Sequence, residues 1–338
     1  MNQSVIPALC PMEETQRQLP AQYCAQDCSQ EALAAWLERV NFDALPSQIT
    51  CMASASAAKA GFDRLPPAVT PRLRGLLKYI RTLNAGMYSA LWLLANGLRE
   101  AGIPALAQAE TALYLLCPEA PQRQLWQLRV AVPRESYESA LEAAEKIGFQ
   151  VERRGLVAVA RYQTTRQIVI TQVADWEKQS SQAVEVEKHN ARLLCPSLPA
   201  LLLELCQDAF RSLTKASCQG AVVCWLMDLQ VLLGLMTEEN WETVRKMAEN
   251  DHLTPHIRLL FALRQQLTGC ACPQAESVGT LGDAEKLASL LLRLRACPAD
   301  PKDLRRRYLL HRLRRPDSLV ATGKLILGQM VKNRKKHG

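Results

Sequence analysis

The sequence predicts an α+β fold, mostly helical, in which a small mixed sheet lies between N-terminal helices and a C-terminal helical domain. Three observations predict it. Leu and Ala dominate a chain of 338 residues that is 48% hydrophobic and only 5% aromatic, a composition that favours helices. Within residues 127–132 the apolar spacing switches to period two: Leu128, Val130 and Val132 alternate with Gln127, Arg129 and Ala131. After Ser197 the spacing is helical throughout.

Taken in order, residues 1–28 are rich in Gln, Pro and Cys without sustained periodicity and read as a loosely ordered leader. Ser29 can cap a helix over 30–40, with Leu33, Trp36, Leu37 and Val40 on one face. Pro66, Pro67 and Pro71 separate a small-residue helix over 54–62 from a long one over 72–100. That long helix carries Leu73, Leu76, Leu77, Ile80, Leu83, Met87, Leu91, Leu94 and Leu98 as one stripe. Gly102 ends it, a short strand covers 103–107, and a helix follows over 110–116.

The stretch 125–133 is a strand. Tyr137, Leu141 and Ala144 then recur at helical spacing, and Gly148 suits the position after a helix end. Residues 149–151 start another strand, and 156–162 with 167–173 form a hairpin, which gives about four or five strands. Asp175, Glu177, Glu185 and Glu187 read as a solvated linker. Helices are expected over 198–211, 221–235, 238–250, 256–267, 283–296 and 304–313. The expected division is 29–100 for the N-terminal helices, 101–178 for the α/β core, 197–300 for the helical domain and 301–338 for a basic C-terminal helix and tail.

The twelve cysteines are spread without a secretory n-region and h-region, which favours a reducing cytosol over a disulfide framework. Cys24 with Cys28 and Cys270 with Cys272 lack a second pair or a His at zinc-ligand spacing. His252 and His256 are separated by Pro255, which disfavours one continuous turn. No window has the ~18 uninterrupted apolar residues that a membrane-spanning helix needs. Of the net charge of +8, the tail from 302 to 338 supplies +10, through 12 Lys and Arg against 2 Asp, so the first 301 residues carry −2.

The order of these elements resembles the uncharacterised bacterial nucleotidyltransferase family, whose catalytic core is polymerase-β-like. The resemblance rests on Ala101-Gly102-Ile103-Pro104, on Arg123 before a strand, and on Arg129 to Pro133 followed by a helix closing on Ile147-Gly148-Phe149. Further on, Cys195-Pro196-Ser197-Leu198 looks like the family's Val-Pro-Ser helix start. Trp225-Leu226-Met227-Asp228 resembles its Trp-x-x-Asp helix, and Asn240-Trp241-Glu242 with Ala248 its Asp-Trp-x-x-Leu helix. It covers roughly residues 30 to 265.

The resemblance implies a site in which two carboxylates at i and i+2 of one strand, joined by a third from a neighbouring strand, hold two divalent metals on a nucleoside triphosphate. Here those two positions hold Gln127 and Arg129, the family's Lys-Gly pair falls on Gln108 and Ala109, and residues 169–173 contain no acid. A guanidinium about 5 Å from a dication is repelled by roughly 6 to 7 kcal/mol at an effective dielectric near 20. The sequence therefore predicts a catalytically degenerate, cytosolic binding or accessory protein without a metal site or cofactor. Arg123 and Arg129 are its candidate contacts to a nucleotide or another phosphorylated ligand.

Two alternatives stand beside this reading. An active enzyme would use magnesium and a nucleoside triphosphate with acids recruited from Glu110, Glu119 or Asp175. A polyanion-binding protein would act through the tail, where Arg305 to Arg307, Arg312, Arg314, Arg315 and the run 332–336 could meet nucleic acid, anionic headgroups or an acidic partner protein. Trp225 and Asp228, at i and i+3, are expected to hold the helical domain together, with the indole buried and the carboxylate bonded to backbone or to an Arg.

Overall fold

A computed structural model describes residues 18–24, 29–45, 47–118, 123–163, 166–188, 191–214, 221–251, 253–276 and 278. The expected helices at 283–296 and 304–313, the basic tail, Glu119 and His252 lie outside these residues. No helix among them is long and apolar enough to cross a membrane.

The chain begins with α1 (Gln18–Cys24), which lies within the stretch read as a loose leader. Its Leu19, Tyr23 and Cys24 are buried, and α1 packs on the later helices α3, α9 and α11. Seven residues were too few to show a period. Helix α2 (Gln30–Arg39) is capped as expected, the Ser29 hydroxyl accepting from the Ala32 amide at 3.2 Å. Helix α3 (Ser47–Ala60) begins earlier than the sequence suggests, and its small residues Ala53 to Ala57 are buried all round. Helix α4 (Thr70–Glu100) buries Leu73, Leu77, Ile80, Met87, Leu91, Leu94 and Leu98 along the predicted stripe.

The sheet has seven strands, not four or five: β1 (Leu106–Ala107), β2 (Leu128–Pro133), β3 (Gln150–Arg154), β4 (Val157–Tyr162), β5 (Arg166–Val173), β6 (Val184–Lys188) and β7 (Ala191–Cys195). Their spatial order is β3-β4-β5-β2-β1-β7-β6. β2 is parallel to β5 and β1 to β7, while the other neighbours run antiparallel. The stretch expected to be a solvated linker is thus partly edge strand. Glu185 and Glu187 of β6 reach Arg192 of β7 at 3.4 and 3.7 Å, so their charges mark the outer face of an edge.

Helix α5 (Ala109–Leu116) follows β1, and α6 (Tyr137–Lys146) follows β2 and ends at Gly148, whose φ of +95° suits only a residue without Cβ. Leu128, Val130 and Val132 are fully buried on the face shared with α4 and α6. There α4 and α6 approach so closely that a Cβ on Gly97 would stand 2.7 Å from Ile147 Cδ1. Short helix α7 (Trp176–Ser180) precedes β6. The helices α8 (Leu198–Thr214), α9 (Ala221–Leu235), α10 (Glu238–Asn250), α11 (Thr254–Thr268) and α12 (Pro273–Glu276) complete the described chain. One hydrophobic cluster runs from Leu19 through the sheet to Val278.

Candidate functional site

The site forms where β1 turns into α5, over the face of β2 opposite its buried Leu and Val side chains. Ala109 opens α5 with a φ of +49°, in the left-handed region that a β-carbon disfavours. This is the position at which the resemblance expects Gly. The turn is held from several sides. The Gln108 amide donates to the Arg129 carbonyl at 3.1 Å, and the Arg129 amide donates to Thr111 Oγ1 at 2.7 Å. Thr171 Oγ1 of β5 donates to Gln108 Oε1 at 3.0 Å.

The Ala109 amide, at the positive end of α5, donates to Glu204 Oε2 of α8 at 3.0 Å. Burial pushes the Glu204 carboxyl up to about 7. Asp208 and Glu110 act in the same direction, while the Ala109 N–H and Arg129 oppose them. A carboxylate of the chain itself therefore occupies the place where a helix start would receive an external anion.

Arg129 projects from β2 and meets two acids. Its Nη1 donates to Asp208 Oδ2 at 2.9 Å, and its Nε stands 3.8 Å from Glu110 Oε1. Arg123, in the segment leading to β2, donates through Nε and Nη2 to the Asp228 carboxylate at 3.0 Å and through Nη1 to the Gln124 carbonyl at 3.3 Å. Tyr114 donates to the same carboxylate at 2.9 Å. Asn84 of α4 fixes this segment from below, donating to the Arg123 carbonyl and accepting from the Leu125 amide. Four carboxylates, Glu110, Glu204, Asp208 and Asp228, thus surround two guanidinium groups, and the cluster is net negative whether Glu204 is protonated or not.

A cavity of about 240 Å³ opens beside this cluster, lined by Gln127, Arg129, Glu110, Asp208, Trp126 and Trp225 among others. Trp126 stands 60% exposed at its edge and Trp225 is buried. The expected pairing of Trp225 and Asp228 is present, with the indole in the core and the carboxylate on Arg123. The structure brings Gln127, Arg129, Arg123 and Glu110 together. Gln108 and Asp175 line a separate cavity of about 730 Å³ that also touches Glu204. Asp175 caps α7 by accepting from the Lys178 amide at 3.3 Å.

Sequence reasoning missed Glu204 and Asp208, the two acids that α8 supplies. Their signal was present as carboxylates four residues apart, which share one helix face. That face points inward.

The residues present fit a pair of divalent ions poorly. Arg129 projects from the β2 face, and Asp208, Glu110 and Asp228 each reach a guanidinium. Among the described residues, no three His, Cys, Asp or Glu side chains are grouped so as to hold a metal ion.

No curated protein matches the chain. Among solved structures it is similar to the antibiotic-resistance factor ANT(2'')-Ia, with 12% identity over 50% of this chain and 94% of that one and a TM-score of 0.39. It is similar to the lincosamide antibiotic adenylyltransferase LnuA, with 12% identity over 34% and 83% and a TM-score of 0.29. A third is an antigenic nucleotidyltransferase-like protein from Paracoccidioides brasiliensis, with 10% identity over 48% and 88% and a TM-score of 0.35. The family model described as uncharacterised nucleotidyltransferase matches residues 46–269, about two thirds of the sequence. The chain belongs to the uncharacterised nucleotidyltransferase family.

Proposed function

We propose that this chain is a catalytically degenerate member of its family, a cytosolic binding or accessory protein that keeps the cleft and has lost metal-dependent nucleotidyl transfer. The observation that carries this reading is Arg129, seated on the β2 face between Asp208 and Glu110. Its guanidinium engages both carboxylates, so a dication would have to displace it to reach them. A nucleotide or other phosphorylated ligand reaches Arg129 or Arg123 only by competing with Asp208 or Asp228, so its binding to the cleft is weak.

The test has two parts, run on the full chain. Labelled nucleoside triphosphate is offered with magnesium, and transfer to the protein itself or to a candidate acceptor protein is measured. Titration calorimetry with nucleoside triphosphates, with and without magnesium, measures binding. We expect no transfer and no strengthening of nucleotide binding by magnesium. Magnesium-dependent labelling that disappears in Glu110→Gln and Asp208→Asn overturns the proposal in favour of an enzyme with recruited carboxylates.

A further inference from the structure

We propose that the cavity bounded by α4, the end of α5 and β6 is a second ligand site, separate from the cleft, that takes a small aromatic anion. It measures about 840 Å³, within the usual range for sites that hold small molecules. Tyr88, Leu93, Leu115 and Val186, all partly exposed, supply aromatic and apolar walls, with the buried Trp92 and Tyr114 behind them. Trp92 is only 6% exposed although it lines this space, so its ring belongs to an inner wall.

The polar groups select the charge. The Tyr88 hydroxyl is closed off from solvent near Glu110 and Asp228, and the Tyr114 hydroxyl is committed to Asp228, so the choice of charge falls to the cations at the rim. Arg81 and Lys188 also line the cavity, and among the described residues neither has a carboxylate within 4.0 Å. The one acid in the lining, Glu187, already stands 3.7 Å from Arg192.

Helix α4 extends the same field. Arg72, Arg74, Lys78 and Arg81 occupy its first half, and its sole acid is Glu100 at the far end. Arg72 bonds Asp43 and Arg74 lies over the Phe62 ring, so Lys78 and Arg81 remain to draw an anion toward the cavity. The aromatic surface is recessed behind these cations, an arrangement suited to a small ring with an acidic group. A nucleic acid strand would be served better by aromatic side chains along an open ridge.

The experiment titrates the full chain with anilinonaphthalene sulfonate, an aromatic anion, and with N-phenylnaphthylamine, its uncharged relative, by fluorescence. Wild type is compared with the double charge reversal Arg81→Glu/Lys188→Glu and with Ser89→Trp, which fills the cavity from an exposed helix position. Circular dichroism checks that each variant is folded. We expect saturable binding of the anion, weakened about tenfold or more by the charge reversal and abolished by Ser89→Trp, with binding of the uncharged probe unaffected by the charge reversal. Equal binding of the anion by all three folded proteins overturns the proposal. So does preferential binding of the uncharged probe, or displacement of the anion by single-stranded oligonucleotide with no response to Ser89→Trp.

Discussion

Arg123 and Asp228 stand 105 positions apart and form a two-pronged ion pair, Arg123 Nε meeting both carboxylate oxygens and Nη2 one of them at 3.0 Å. Both side chains are almost fully buried. The pair ties the segment before β2 to α9, and Tyr114 of α5 bonds the same carboxylate, so three elements meet at one charge. Guanidinium geometry matters here, since a fork of donors can satisfy both oxygens at once.

Asp228→Asn keeps the volume and removes the counter-charge, leaving Arg123 with Glu110 at 4.0 Å as its nearest acid. We expect a loss of about 3 to 5 kcal/mol in denaturant unfolding, the usual cost of breaking a buried pair from one side. Tyr114→Phe, which removes a single hydrogen bond to the carboxylate, should cost only about 1 to 2 kcal/mol. A loss below about 1 kcal/mol for Asp228→Asn would show that Glu110 compensates for the missing charge.

Glu204 gives the cleft a pH dependence of definite sign. Its carboxyl is raised from the usual 4.5 to about 7, so between these values the folded chain holds a proton that the unfolded chain has released. This contribution to stability is fully present below pH 4.5 and is lost as the pH rises through about 7. Glu204→Gln can keep the bond from the Ala109 amide while removing the titration. Its unfolding free energy should vary less with pH across this window, and near pH 8 the variant should be more stable than wild type by about 2 to 3 kcal/mol. Parallel slopes for the two proteins would mean that Glu204 keeps an ordinary carboxyl pKa.

The fold was legible wherever a period was long enough to register. Helices α9 and α10 have the predicted limits, and α4 buries the stripe that its leucines announce. Strand β6 is hidden in the sequence because an edge strand carries charges at alternate positions, so Val184-Glu185-Val186-Glu187 resembles a polar linker although Arg192 lies beside it. The site was half legible. Gln127 and Arg129 could be placed from the order of motifs, but the acid that meets Arg129 lies 79 residues away on α8. No local pattern encodes such a pairing, because it depends on which face of α8 packs over β2.

The tail yields an expectation from charge alone. Deleting residues 302–338 removes +10 and leaves a body near −2. Binding of heparin and of random DNA by the full chain should weaken together as salt rises, and fall together after the deletion. Tight DNA binding by the truncated chain, or a strong preference for one sequence in the full chain, would instead require a specific nucleic-acid surface on the body.

Ala109 offers the most direct test of how the cleft departs from its family. With φ at +49° the residue sits where a β-carbon is strained by ~1 to 2 kcal/mol, and the resemblance places Gly at this position. Ala109→Gly relieves that strain but adds freedom to the unfolded chain, which offsets part of the gain. The expected net effect is a stabilisation of about 0.5 to 1 kcal/mol, read as a higher denaturant midpoint with an unchanged slope. The substitution leaves the amide and its bond to Glu204 Oε2 in place, so it should not by itself restore phosphate binding. If Ala109→Gly destabilises the protein, the turn into α5 does not hold the left-handed conformation. If it is stabilising and also strengthens nucleoside triphosphate binding, the obstacle in the cleft is the β-carbon and not the carboxylate of Glu204.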